Sequence, residues 1–356
     1  MQPADNPPEE ATDLARSGLL PSQAAAGQAA AGQTAAGQTM TQRPIPPPTP
    51  GRFIQVDQIG GATDALAKAG DHILFGEGTR IAIAAIQAGR TPQRIGRSAD
   101  LGEMIANILV IGDVAYVSAG PAGLHALDIS EVAMPKLLSR LPLPGQAGQL
   151  ARDGDTVFVA TGPTGVIAVD ASDPTALRRV GRIAPRKPEQ EIRSISASNG
   201  LLALAETAFD PWDSPVDREL SLFDIRDPSQ IRRLAALELA GQVNALVLDD
   251  RELWVTTDGS INRIDVHNPL QSSIAVTQTL RPYGIAAGLA VTDSAVYANT
   301  ATVPPGLVKI SKQGFGGDDA EFTRYEGTRN KTIIDGGYAY SVLGATGGFL
   351  VVDLSV

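Results

Sequence analysis

Short apolar runs separated by Gly, Asp, Asn, Ser and Pro dominate the chain from about residue 53 to its last residue, and they return at a regular interval. The segment IGDVAYVSAGPAGLHALDIS (111–130) aligns with DGDTVFVATGPTGVIAVDAS (153–172). DGGYAYSVLGATGGFLVVDLS near the C-terminus is a third copy, and weaker copies lie between. One column holds a bulky, mostly aromatic residue within a short apolar strand: Leu74, Tyr116, Phe158, Ala203, Trp254, Tyr297 and Tyr340. A second follows the next apolar run: Ala85, Asp128, Asp170, Asp224, Asp265, Lys309 and Asp353. Seven copies at one period are the signature of a repeat architecture, and a unit of about 40–45 residues is the length of a propeller blade.

Each unit parses into four strands, a to d. In the second copy these are NILVI, VAYVSA, GLHALDI and KLLSRLPL. Turn signals separate them: Gly-Asp or Asp-Gly between a and b, Gly-Pro-x-Gly between b and c, and Asp-x-Ser-Asp-Pro-like turns between c and d. The recurrent Asp128, Asp170, Asp224, Asp265 and Asp353 read as structural turn caps, because Asp accepts hydrogen bonds from backbone N–H groups two residues on. The last copy stops after its strand c, whereas FIQVDQIG (53–60) precedes the first strand a without a blade of its own. Pairing the two closes the ring and removes two exposed sheet edges. The expected fold is therefore all-β, a seven-bladed β-propeller of four-stranded blades over 53–356, with the last blade completed by an N-terminal strand.

The pattern in AYVSAGPAGLHALDIS and VFVATGPTGVIAVDAS resembles the LVIVD repeat, a propeller motif of bacterial and archaeal proteins, often surface-associated ones. The first copy departs from it at Ala85 and the sixth at Lys309. The resemblance implies an interaction module and an extracellular or cell-surface setting, not an enzymatic activity.

Residues 1–52 have a different composition. Three near-identical pentapeptides, AAAGQ-AAAGQ-TAAGQ, precede a Pro-rich stretch ending at Pro50. They lack the large apolar residues needed to offset chain entropy, so this part reads as a disordered tail or linker. The N-terminus carries acids where a signal peptide carries basic residues, and no export signal is expected within it. A trimmed or excised chain would read the same way. No apolar run approaches the ~20 residues that span a bilayer.

A net charge of −10 disfavours nucleic acid as a partner, since the basic clusters are short and interrupted. Cysteine is absent, which excludes disulfides and thiol chemistry. Residues aligned at the start of strand a, and expected to line the channel, are Ala65, Asn107, Gln149, Ser194, Ala245, Gly288 and Lys331. They offer no set of Asp, Glu and His for a metal, and no catalytic residue, metal or cofactor is expected.

The fourth unit is the exception. Between its two columns it is longer than the others by ETAFDPWDSPVDREL, with Phe209, Asp210, Trp212, Asp213 and Asp217, read as a b–c loop. The preceding d–a connection, APRKPEQEIR, carries Arg186, Lys187 and Glu189. In a propeller these two loop classes share one face, and an aromatic flanked by acids suits a protein or cationic-ligand contact. The expected function is a non-enzymatic binding or scaffold propeller contacting a protein or small ligand through this face. The alternative is a propeller hydrolase or lyase acting on a sugar or lactone at the channel mouth.

Overall fold

A computed structural model describes residues 54–59, 65–86, 92–187, 190–209, 215–280, 285–300, 305–317, 320–324, 331–342 and 348–354. Strand β1 is Ile54–Ile59. Blade one is β2 (Leu66–Ala69), β3 (His72–Glu77), β4 (Arg80–Ala85) and β5 (Gln93–Arg97). Blade two is β6 (Asn107–Ile111), β7 (Val114–Ser118), β8 (Leu124–Asp128) and β9 (Lys136–Leu141). Blade three is β10 (Leu150–Asp153), β11 (Thr156–Ala160), β12 (Val166–Asp170) and β13 (Arg178–Ile183). Blade four is β14 (Gln190–Ser198), β15 (Leu201–Phe209), β16 (Pro215–Asp224) and β17 (Arg232–Glu238). Blade five is β18 (Ala245–Asp249), β19 (Glu252–Thr257), β20 (Ser260–Asp265) and β21 (Ser273–Thr279). Blade six is β22 (Ala286–Val291), β23 (Ala295–Thr300), β24 (Gly306–Ser311) and β25 (Ala320–Arg324). Blade seven contains β26 (Thr332–Asp335), β27 (Tyr338–Val342) and β28 (Phe349–Asp353).

Every blade is an antiparallel four-stranded meander, and the last has the order β1-β28-β27-β26. The N-terminal strand is thus the outer strand of blade seven, with Ile54 opposite Asp353 and Ile59 opposite Phe349. The innermost strands touch in succession from β2 to β26, and β26 touches β2 again. The expected seven-bladed ring and its closure are what the chain forms.

The core is divided into seven apolar clusters, one at each interface between neighbouring blades. The closing interface joins Leu66, Ile73 and Phe75 of blade one to Tyr340, Val342 and Phe349 of blade seven. Here the Phe75 and Phe349 rings meet edge-on at 5.3 Å. The aromatic column supplies these interfaces, and all seven of its residues are buried. Tyr116 also donates its hydroxyl hydrogen to the Ala171 carbonyl of the next blade at 3.0 Å. A wide face on each sheet is what a wedge-shaped interface must fill, so bulky residues recur at one level of strand b.

The Gly of the b–c turn is required by close approach. Gly123 and Gly165 have φ of +85° and +95°, and a Cβ on either would collide with the carbonyl oxygen of Leu141 or Ile183 on strand d.

Two expectations need correction. The acidic column in blade six falls at Ser311, not Lys309. Ser311 lies opposite Ala295, as Asp128 lies opposite Val114, while Lys309 lies opposite Tyr297 itself. The two positions differ because the b–c hairpin of that blade is two residues longer than that of blade two. The fourth-blade insertion is also largely strand, not loop. β15 and β16 pair from Leu201 opposite Asp224 out to Phe209 opposite Pro215. β14 follows β15 as far as Gln190 opposite Ala208, so the last four residues of the d–a connection are strand too.

Candidate functional site

The turn aspartates end strand c and bind forward. Asp128 Oδ1 accepts from Ser130 N at 2.9 Å, Asp170 from Ser172 N at 3.0 Å, Asp224 from Arg226 N at 3.2 Å and Asp265 from His267 N at 2.9 Å. Asp353 closes β28 in the same register, opposite Tyr338. Asp170 also takes two bonds from the Arg178 guanidinium, at 2.9 and 2.6 Å. Asp224 is held by Arg226 and Arg232, at 2.6 and 3.0 Å. These hydrogen bonds hold the carboxyls of Asp128, Asp170, Asp224 and Asp265 below their usual range. All of their bonding is local.

On the b–c/d–a face, blade four rises above its neighbours. β14, β15 and β16 run for 9, 9 and 10 residues. Its outer strand pairs with β16 only from Glu219 opposite Glu238 downward, so the Pro215–Arg218 stretch has β15 as its strand partner among the described residues. Phe209 ends β15 and Asp217 lies in β16; their side chains lie outside the described residues, as do Asp210, Trp212, Asp213 and Glu189.

The base of this extension holds an acidic row not singled out in the sequence. Glu206 lies directly opposite Glu219, which lies opposite Glu238. Like charges across a ladder repel, and the row is stabilised by cations. Arg186 Nε lies 3.5 Å from Glu219 Oε2, Arg233 pairs with Glu219 Oε1, and the Arg186 N–H donates to Glu206 Oε1 at 2.9 Å. Burial pushes the Glu206 carboxyl up, and the neighbouring Glu219 adds to that, against the Arg186 N–H and the two guanidiniums. Arg186 therefore fastens the d–a connection onto the extension. Lys187 is exposed, and its N–H donates to Gln190 Oε1 at 3.0 Å. The signal in the sequence is the alternation of Asp217 and Glu219 in VDREL, the period of a strand and not of a loop.

Beside blade four on the same face is a pocket of about 560 Å³, lined by Met104, Ala106, Gly148, Gln149, Gly162 and Ile192 among others. These residues come from the d–a and b–c connections of blades one to three and from the start of β14. The pocket includes Gln149, one of the strand-a starts expected to line the channel. The seven residues aligned as strand-a starts occupy one level: Asn107 lies opposite Ser118, Ser194 opposite Ala205, Ala245 opposite Thr256 and Gly288 opposite Asn299. Ala65, Gln149 and Lys331 accept at the matching place, from Gly76 N, Ala160 N and Val342 N. Lys331 of blade seven donates to Asn107 Oδ1 of blade two at 3.0 Å and to Ile108 O at 3.3 Å, two blades on around the ring. Burial lowers its pKa to about 8. Gln149 Oε1 accepts from Ile195 N at 3.2 Å, and Ser194 is buried.

Among the described residues no group of three or more His, Cys, Asp and Glu side chains is placed to hold a metal ion. Nor is any helix among them long and apolar enough to cross a membrane. His125 is fully buried in β8, with neither ring nitrogen bonded to a described group. Desolvation, helped by the nearby Arg140, lowers its pKa to about 4.

This ring of seven closed blades, with a pocket and an extended hairpin on one face, defines a β-propeller protein. Residues 104–141 and 144–184 match the LVIVD repeat family model, so blades two and three carry that repeat. The fold is similar to the β-propeller domain of Cps50 (Swd1) from Myceliophteria thermophila, with 14% identity and a TM-score of 0.65 over 85% of this chain and 100% of that one. It is similar also to the computationally designed Ika8 protein, with 12% identity and a TM-score of 0.57 over 84% of this chain and 98% of that one. At such identities the likeness is one of fold. No curated protein matches the chain.

Proposed function

We propose that this protein is a non-enzymatic binding or scaffold propeller that engages a protein or small-ligand partner through its b–c/d–a face, with residues 1–52 as a spacer. The observation that carries the reading is the extension of blade four: three strands lengthened together, on one face, beyond what the ring needs for closure. The Pro215–Arg218 edge, which has no outer strand partner among the described residues, is a ready site for another chain, since backbone N–H and C=O groups on a free edge seek bonds. Phe209, Asp210, Trp212, Asp213 and Asp217 would supply the contacts, together with Lys187 and Glu189; Arg186 serves it indirectly by anchoring the loop. The pocket beside blade four gives a concave surface next to this convex one.

The test compares the full chain with a variant whose residues 207–217 are replaced by a short turn. Partners crosslinked to the full chain are expected to be lost from the variant while its melting temperature holds. Retention of every partner would overturn the choice of site. Stoichiometric metal in the purified protein, or turnover of sugar or lactone substrates, would overturn the non-enzymatic reading in favour of a hydrolase or lyase.

A further inference from the structure

The channel mouth carries a feature that the blade-four reading leaves unused. In a chain of net charge −10, one of the seven residues at the strand-a level is charged, and it is a cation, Lys331. Its ammonium has no carboxylate within 4 Å among the described residues; the groups it does meet are the neutral oxygens of Asn107 and Ile108. An ammonium has three N–H donors, so one remains. Lys331 thus reaches from blade seven to blade two, and Ala65, at the same level of the intervening blade one, has no side chain beyond Cβ.

The amides at this level are oriented the same way. Asn107 Oδ1 is taken by Lys331 and Gln149 Oε1 by the Ile195 N–H, so both carbonyl oxygens are used. Their NH2 groups have no partner among the described residues and are not sealed from solvent, and both residues are half-buried. What this level presents on blades two, three and seven is thus two amide donor groups and one positive charge, of which Asn107 and Lys331 are in direct contact. Ala106, next to Asn107, and Gln149 itself line the pocket, which gives a ligand room to approach. Glu103, also on that pocket, is exposed and its charge is solvated. A cation surrounded by protein and without a counter-ion among the described residues is costly, which is what its lowered pKa reports, and an anion brought to it recovers that cost.

We propose that the channel mouth binds a small oxyanion, a carboxylate or phosphoryl group, with Lys331 as its electrostatic anchor and the Asn107 and Gln149 amides as hydrogen-bond donors. This site is separate from the blade-four extension, and each can be lost without the other.

The experiment is calorimetric titration of the full chain at pH 7 and low ionic strength with inorganic phosphate and, separately, acetate. At least one is expected to bind saturably with a Kd of about 1 mM or tighter. Phosphate alone would assign a phosphoryl ligand, and both would assign oxyanions generally. Lys331→Met is expected to weaken binding about ten-fold or more, as befits loss of a charge-assisted bond. In the wild type, NMR of the Lys331 ε-amine is expected to show its pKa rising by at least about half a unit when phosphate or acetate saturates the site. That measurement stands even if the variant fails to fold. No saturable binding of either anion, an unchanged Lys331 pKa, or wild-type affinity in Lys331→Met would overturn the proposal.

Discussion

Blades three and four share a register and differ in what they do with it. In both, strand c ends on an Asp that bonds two residues forward and pairs with an Arg directly opposite on strand d, Arg178 for Asp170 and Arg232 for Asp224. In both, the residue two past the start of strand b faces the neighbouring blade, as Phe158 and as Ala203. Blade three stops there, with strands of 4 to 6 residues and a tight b–c turn. Blade four continues upward on three strands and fills the added surface with the Glu206 and Glu219 carboxylates and the cations that hold them. The difference teaches that the ring tolerates elaboration at the b–c end of blade four, because closure rests on the pairing of β1 with β28 and on the cluster between blades one and seven, neither of which includes the extension.

The largest effect that would break this comparison belongs to blade three. Gly165→Ala forces a Cβ onto the Ile183 carbonyl at positive φ, and is expected to cost about 3 kcal/mol in denaturant unfolding. A cost below about 1 kcal/mol would mean that the tight turn does not limit blade three.

Opposite pH responses should follow from buried groups in two blades. His125 in blade two has a folded pKa of about 4 against 6.5 when unfolded, so the unfolded chain binds the extra proton between these values. Stability should fall by about 2–3 kcal/mol as pH drops through this window, and His125→Leu should flatten that decline. Glu206 in blade four has a raised pKa, so the folded chain binds the extra proton and stability should rise as pH falls from that raised value toward 4.5. Glu206→Gln should remove this gain. Urea midpoints measured across pH 4–8 separate the two.

Smaller still is the contrast between the turn aspartates. The Asp224 side chain is 7% exposed and Asp170 21%. Asp224→Ala is expected to cost about 2 kcal/mol and Asp170→Ala about 1, by equilibrium unfolding. Equal costs would place the stabilisation in the turn alone and none in the depth of the carboxylate. Least of all, replacing residues 208–216 with a two-residue turn should move Tm by less than about 5 °C, since the extension lies outside the ring's closure contacts.

Much of this architecture was legible in the chain because blade formation is local. A period of about 42 residues, alternating apolar strands and turn-forming Asp and Gly are all short-range signals, and they defined the seven blades and the strand that closes them. The pairing of Asp170 with Arg178 is equally local. Where the hairpin lengthened, the reading slipped, as at Lys309 and Ser311. Where polar residues alternated in ETAFDPWDSPVDREL, strand looked like loop, because no apolar stripe marks a hairpin that leaves the core.

The seven residues at the mouth could be aligned from sequence, for the repeat sets their level. That Lys331 reaches Asn107, two blades on around the ring, was decided by tertiary structure alone. So was the facing of Glu206 and Glu219 under Arg186. Local pattern specifies each blade, but contacts across a closed ring depend on how the blades are set around it, and no spacing along the chain records that.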